Sequence, residues 1–465
     1  MKMVKYAIDK LKNLFPRQRL YQIAHQSKLI QRTSSKLDPT SFLTTMIIES
    51  NISGLYSLSR LCDFMVANGG VLMTPQALSE RLDSLKTVRF LKEIYSSLIA
   101  SKFTSDDFGV KEKGVLGRFQ NVYIEDSSSC KINEKVAGSF KASGGSGSKA
   151  GFKIHTIFNA KSNNISNLKI TASNVPDASE AKNILKYIKK GDLILRDLGY
   201  FKKECFNEIE KKGAYYLSRL KSGVNIYSLE GGLIEDLGRY VEECIGNSNL
   251  LEVEVLLGKK EPLKVRLVAA RITQSVYDKR VRKAKRKSEK NSRTLSKKHK
   301  AFQRFTFFIT NIPSELLNKE EVPIMYKFRW QIELLFKSFK SQIHLDMIKG
   351  KSKNRVECYI LAKLIVLMST TTLFMHLSAD LKYTHNRELS FFKFTGWIIS
   401  HKYLRLLFCA EKLSYEVMQM QTINALSLCK QKRSKKTSRE LLEEEFTYDD
   451  IYSEDLKIDP LEALA

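Results

Sequence analysis

Acidic residues are in short supply: the 465-residue chain has 50 Asp and Glu against 78 Lys and Arg, a formal net charge of +28. Such an excess argues against a basic partner and points to a polyanion. Cysteine is sparse too. The seven, at positions 62, 130, 205, 244, 358, 409 and 429, form no CxxC pair, which argues against a disulfide scaffold or a structural zinc and makes a reducing cytosol the simpler context. No secretory-signal core opens the chain, so nucleic acid is expected as the partner and membrane is not; a cytoplasmic, nucleoid-associated location follows. A clean apolar span is missing as well. Tyr359 to Leu377 is interrupted by Lys363, His376 and the hydroxyl run Ser369 to Thr372, where a bilayer span needs about 20 predominantly apolar residues. A buried core helix packed behind the helix that carries Glu333 is expected instead. A phosphate loop is also absent: Lys149 follows the glycine-serine run Ser143 to Ser148 but precedes Ala150, not the Ser or Thr that nucleotide binding requires. That run is expected to be a flexible connection joining two strands of a hairpin, a solvated loop.

What is present is a spaced set of polar residues. Tyr326, Arg329, Glu333 and Lys340 are separated by three, four and seven positions. At about 100° per residue, Tyr326, Glu333 and Lys340 fall nearly on one line of a helix, with Arg329 about 60° to one side. Phe328, Ile332, Leu335 and Phe339 form the opposite, apolar stripe, the spacing of a core-facing surface. A solvated face with one Glu–Lys pair gives the same pattern.

Two more acids stand at apparent strand ends. Asp126 closes Asn121 to Asp126 before Ser127, Ser128 and Ser129, and Asp197 closes Asp192 to Asp197 before Leu198, Gly199 and Tyr200. Open sheets place functional groups at such ends, although an Asp after a strand is also an ordinary turn residue. With Glu333 the two make three hard oxygen donors, the set magnesium or manganese prefers, and without a cation they would repel one another.

At these residues the chain resembles the bacterial insertion-sequence transposases of the DDE class with the YREK signature, the insertion-sequence-four-like group. Tyr326, Arg329, Glu333 and Lys340 match the signature; Asp197 with Gly199, Tyr200 and Phe201 resembles the second-aspartate motif, and Asp126 the first. The resemblance runs from about Asn121 to about Lys363. It implies an α/β fold with a ribonuclease-H-like core of mixed sheet and flanking helices, two Mg2+ or Mn2+ ions held by Asp126, Asp197 and Glu333, and transfer of DNA strands. It implies double-stranded DNA as partner, at element ends and target, and a homodimer in the DNA complex. Tyr326, Arg329 and Lys340 would contact phosphates, Lys149 and Lys153 would either touch phosphate near the active site or be solvated, and Trp330 would either wedge a base of a hairpin end or pack in the core. The family's second base-capturing aromatic has no tryptophan here, leaving Phe302 or Phe305. A structure-selective nuclease on the same core, or a non-catalytic DNA-binding relic, would share these residues.

The expected organisation is a helical DNA-end-binding domain over 1–110, the catalytic core over 118–222 and 305–377, a β-rich insertion over 223–304, a helical region over 378–438 and an acidic tail over 439–465. In the first, Ser57 to Asn68 and Thr74 to Leu82 read as helices around Gly69 and Gly70, the pattern of a helix-turn-helix or of any bundle; Gln76, Ser79, Glu80 and Arg81 would face outward. In the core, Asp177 to Lys190 and Lys202 to Lys212 read as helices. Residues 279–304 hold 13 Lys or Arg and one acid, Glu289. Lys283, Lys285, Arg286 and Lys287 are candidate DNA-backbone contacts, on a solvated helix, a disordered arm or a clamp. The tail carries ten acids against Arg439 and Lys457.

Overall fold

A computed structural model describes residues 15–31, 37–52, 57–69, 72–100, 114–144, 147–290, 292, 294–400, 427–429 and 442. The acidic tail, apart from Leu442, and most of the region beyond Ser400 lie outside the described residues.

Before residue 114 the described elements are the helices α1 (Arg17–Gln26), α2 (Pro39–Ile52), α3 (Leu58–Gly69), α4 (Pro75–Leu82) and α5 (Leu85–Ala100). α4 begins as its sequence dictates: the Thr74 hydroxyl accepts from the Ala77 N–H, and Pro75 takes the first helical position, where its missing N–H costs nothing. Two of the four side chains expected to face outward on α4 are engaged within the protein. The Ser79 hydroxyl accepts from Arg355, and Arg81 donates to the Leu29 carbonyl at 3.5 Å.

The core sheet starts with β1 (Val122–Lys131), β2 (Gly151–Asn159), β3 (Asn164–Ala172), β4 (Leu193–Arg196) and β5 (Tyr215–Arg219), in the order β3-β2-β1-β4-β5. The first three strands are antiparallel, and β4 pairs parallel with β1 and β5. That order, with α6 (Lys203–Lys211) joining β4 to β5, is the ribonuclease-H-like core. The helix expected over 177–190 is instead one α-turn, Asp177–Glu180, and a 3-10 segment, Ala181–Lys186. The Ala181 carbonyl accepts from the Arg196 guanidinium and the Cys205 thiol, bonds that compete with a regular helical ladder.

After β5 the chain stays in the sheet. β6 (Ile226–Tyr227), β7 (Leu233–Ile234), α7 (Leu237–Ile245), β8 (Leu250–Leu257), β9 (Leu263–Arg271), α8 (Gln274–Lys290), α9 (Lys297–Phe302) and β10 (Phe305–Thr310) follow. β10 pairs with β5 and β9 with β10, so the order continues β5-β10-β9-β8-β6-β7. The β-rich insertion is thus an extension of the core sheet and not a unit set apart from it. The sequence of β9 shows why: Val265 to Ala270 are buried on both faces, as in a strand with neighbours on each side.

Alternation along the strands divides two apolar layers. Val122, Ile124, Leu193, Leu195 and Leu217 pack in one, with α1–α5 and the helices that follow β10: α10 (Glu321–Phe328), α11 (Gln331–Ser341) and α12 (Lys353–His385). Tyr123, Ile194 and Tyr216 pack in the other, with Phe206 and Ile209 of α6 and Val241 of α7. α12 is long and apolar enough to cross a membrane, but its apolar stretch is wholly buried inside the protein. It packs chiefly on α5 and α2, not behind α11 as expected. α13 (Phe391–Ser400) closes over α11.

Candidate active site

The two aspartates occupy equivalent positions on neighbouring strands. Pairing between β1 and β4 ends at Glu125↔Arg196, so Asp126 and Asp197 come next on each. Asp126 is not the end of its strand, as expected, because β2 carries the pairing on to Lys131↔Gly151; it marks the point where β1 loses its β4 neighbour. By alternation both aspartates share the face of Ile124 and Leu195, the layer occupied by α10 and α11. Glu125 and Arg196 turn to the other face and form a buried ion pair at 2.6 Å, which fixes the two strands to each other directly behind the aspartates. Asp197 caps the turn Leu198–Tyr200, its carboxylate accepting from the Gly199 N–H at 3.5 Å.

Gly199 is constrained by a neighbour, since a Cβ there would come within 2.8 Å of the Asp177 carboxylate. Asp177 itself accepts from the Ser127 hydroxyl and the Lys153 ammonium, each at 2.9 Å. Lys153 also donates to the Val175 carbonyl, so it supports this wall of the site and does not reach out for phosphate. In the sequence Asp177 is only an acid at a helix start after Pro176, a pattern that carries no sign of its place beside Asp126.

The helix expected to run from Tyr326 through Lys340 is two. Bonds of the i→i+3 kind, Arg329 to Tyr326, Trp330 to Lys327, Ile332 to Arg329 and Glu333 to Trp330, make a tight turn between α10 and α11. The single polar line is therefore broken. Tyr326 is fully buried with its hydroxyl donating to the Arg196 carbonyl at 3.2 Å; burial raises its pKa. Phe328, Ile332, Leu335 and Phe339 are buried as the spacing demands.

Arg329 stands between the acids. It donates to Asp126 at 2.9 Å and to Glu333 at 2.7 Å while only 7% exposed. Glu333, in the first turn of α11, also gains from that helix's positive end. Burial pushes Asp126 up to about 7; Arg329 opposes the shift, and the charges of Asp197 and Glu333 add to it. Burial acts to lower the Arg329 pKa, but Tyr326, Asp126, Asp197 and Glu333 outweigh it and the net shift is upward. Among the described residues no three His, Cys, Asp or Glu side chains are gathered closely enough to hold a metal ion; the Arg329 guanidinium bridges Asp126 and Glu333.

Trp330 is 42% exposed at the turn, which removes the core-packing alternative. Lys340 is half-buried, near enough to Cys130 to act on its thiol. Phe305 is buried in β10 and Phe302 packs on Phe307 at 4.6 Å between centroids, so neither is displayed for capturing a base. Lys149 is exposed on the hairpin connection, its N–H donating to Glu134 at 3.2 Å. Lys283, Lys285, Arg286 and Lys287 are exposed on the second half of α8. The basic stretch is helical there because its first half is anchored: Arg280 turns inward to the Phe305 carbonyl and the Thr306 hydroxyl.

Residues 117–369 match the family described as transposase DDE domain. The chain belongs to this family of DDE transposases. Relatives include the transposase for insertion sequence element IS231F of Bacillus thuringiensis subsp. israelensis, 28% identical over 85% of this chain and 86% of the relative. The transposase for IS1151 of Clostridium perfringens is 26% identical over 90% and 89%. The piggyBac transposase synaptic complex with hairpin DNA overlays with a TM-score of 0.48 at 10% identity, covering 93% of this chain and 87% of that one. This transposase is accordingly a DNA strand-cleaving and strand-transferring enzyme that depends on divalent metal. The residues present fit such an ion in their chemistry: the donors are hard carboxylate oxygens, burial first and then the charges of Asp197 and Glu333 raise the Asp126 pKa, and a cationic side chain, Arg329, bridges Asp126 and Glu333.

Proposed function

We propose that Asp126, Asp197 and Glu333 hold the divalent ions of this transposase, two of Mg2+ or Mn2+ per site, and that Tyr326, Arg329, Glu333 and Lys340 act as its YREK signature. The observation that carries the reading is Arg329 joined to Asp126 and Glu333 across the site. When bound, the ions supply an activated water or 3′ hydroxyl and stabilisation of the leaving oxygen. Asp126 and Asp197 are held by strands locked through Glu125 and Arg196, so their carboxylates are placed before substrate arrives. Arg329, once released from the acids, offers its planar fork to a phosphate, and Lys340, at the far end of α11 near Cys130, offers a point charge to another. Trp330, exposed at the turn, stacks in this reading on a base lifted from the helix. Tyr326 positions: its hydroxyl holds the backbone of Arg196, the residue before Asp197. The partners are the ends of an insertion sequence and the target DNA, met in the cytoplasm by a homodimer, with α1–α5 binding the ends.

The test uses a supercoiled plasmid carrying the element with its native flanks. Asp126→Asn, Asp197→Asn and Glu333→Gln should each lower Mg2+-dependent cleavage by more than about a hundredfold, since even outer-shell losses cost 10–100-fold. Binding of the same DNA in Ca2+ should persist. Any of the three cleaving at near the parent rate removes that residue from the triad.

A further inference from the structure

Beyond the aspartates β1 leads to a second basic feature. Lys131, Asn133 and Ser148 on one wall, and Lys349, Gly350 and Lys351 on the other, line an open cleft of about 470 Å³. All three lysines are exposed, and none forms an ion pair with a described residue. The walls are firmly held. The Ser148 hydroxyl donates to the Ile132 and Ala150 carbonyls, and Gly350 lies so close to α12 that a Cβ would come within 2.9 Å of Val356. The absent side chain lets this wall lie against α12, which fixes the positions of the two flanking lysines. No acid among the described residues lines the cleft; close by in the chain, Glu134 accepts from the Lys149 N–H, and Asp346 acts on Cys130 and Lys363.

The position of the cleft is as informative as its charge. Lys131 is five residues beyond Asp126 on the same strand, about 17 Å at roughly 3.3 Å per residue. Lys340 lies between the two, close to Cys130 and on the helix whose exit forms the second wall. Active site, Lys340 and cleft therefore follow one another along β1 and α11. We propose that the cleft is a second phosphate-binding site, seating the backbone of the DNA duplex whose strand is cut at Asp126, Asp197 and Glu333. The proposal rests on that assignment of the cleavage centre. Contacts of this kind set the register of the duplex and do not read its sequence.

The test compares the full chain with Lys131→Ala/Lys349→Ala/Lys351→Ala and with a control, Lys190→Ala/Lys211→Ala/Lys212→Ala, which removes the same charge from exposed lysines near the other end of β4 and β5. Affinity for a labelled linear duplex is followed across a salt series. The cleft variant should show a salt slope shallower by up to about 0.9 for each phosphate it no longer neutralises, the control should match the parent, and both should melt with the parent. A cleft variant with the parental slope, or a control whose slope falls as far as that of the cleft variant, overturns the proposal while leaving the cleavage centre standing. A parent that does not bind duplex overturns both.

Discussion

Lys363 gives the sharpest physical test of the fold around α11. Its side chain is fully buried in α12, and its Nζ donates to the Ile343 carbonyl, just past the end of α11, at 2.7 Å. Burial lowers its pKa to about 7, with Asp346 opposing. An unfolded chain keeps a lysine near 10.4. Between those values the folded protein holds a neutral amine while the unfolded chain remains protonated. The unfolded state then binds more protons, so stability rises with pH over roughly 7 to 10, by up to about 1.4 kcal/mol per unit. Below that window both states are charged and the cost of burying the ammonium is fully present. Lys363→Met removes the titration and leaves the Ile343 carbonyl without this donor, a loss of about 1–3 kcal/mol. Urea unfolding of parent and variant over that pH range isolates the effect as a difference. The parent should gain on the variant steadily as pH rises, so Met is relatively best near neutrality and relatively worst in alkali. Parallel stability curves would refute the account of a buried, depressed lysine.

Leu335, buried under α11, should cost about 2–5 kcal/mol when cut to Ala by the cavity it leaves, whereas Lys340→Ala should melt with the parent and slow cleavage. Early melting by Lys340→Ala, or normal cleavage by it, would make Lys340 a structural residue. On α8, replacing Lys283, Lys285, Arg286 and Lys287 by Ala should weaken binding to every duplex alike and flatten its salt dependence by about 0.9 per phosphate; an unchanged slope would mean a solvated helix.

The elements most visible in sequence are those whose local pattern and packing agree. The stripe Phe328, Ile332, Leu335 and Phe339 is buried as its spacing requires, even though the helix breaks within it. Spacing reports which residues seek the core; it carries no sign of the tight turn at Arg329 and Trp330, which shifts Tyr326 off the polar line. Asp197 reads correctly as a strand end because the turn that stops β4, Leu198–Tyr200, follows it directly in the chain, whereas the length of β1 depends on β2, a partner across a hairpin. The ion pair of Glu125 with Arg196 and the contacts of Asp177 join residues far apart in the chain, and no local pattern announces them.

The shared sheet has a consequence for modularity. β10 lies between β5 and β9, and Arg266 of β9 donates to the Ile312 and Leu317 carbonyls on the way to α10. Excising residues 223–304 as a cassette would strip β10 of one neighbour and leave an apolar edge of unpaired backbone, a template for aggregation. It would also untie the approach to Arg329 and Glu333. Exchange of parts between relatives is thus confined to what projects from the sheet, such as the outer half of α8, while the strands beneath must travel with Asp126, Asp197 and Glu333.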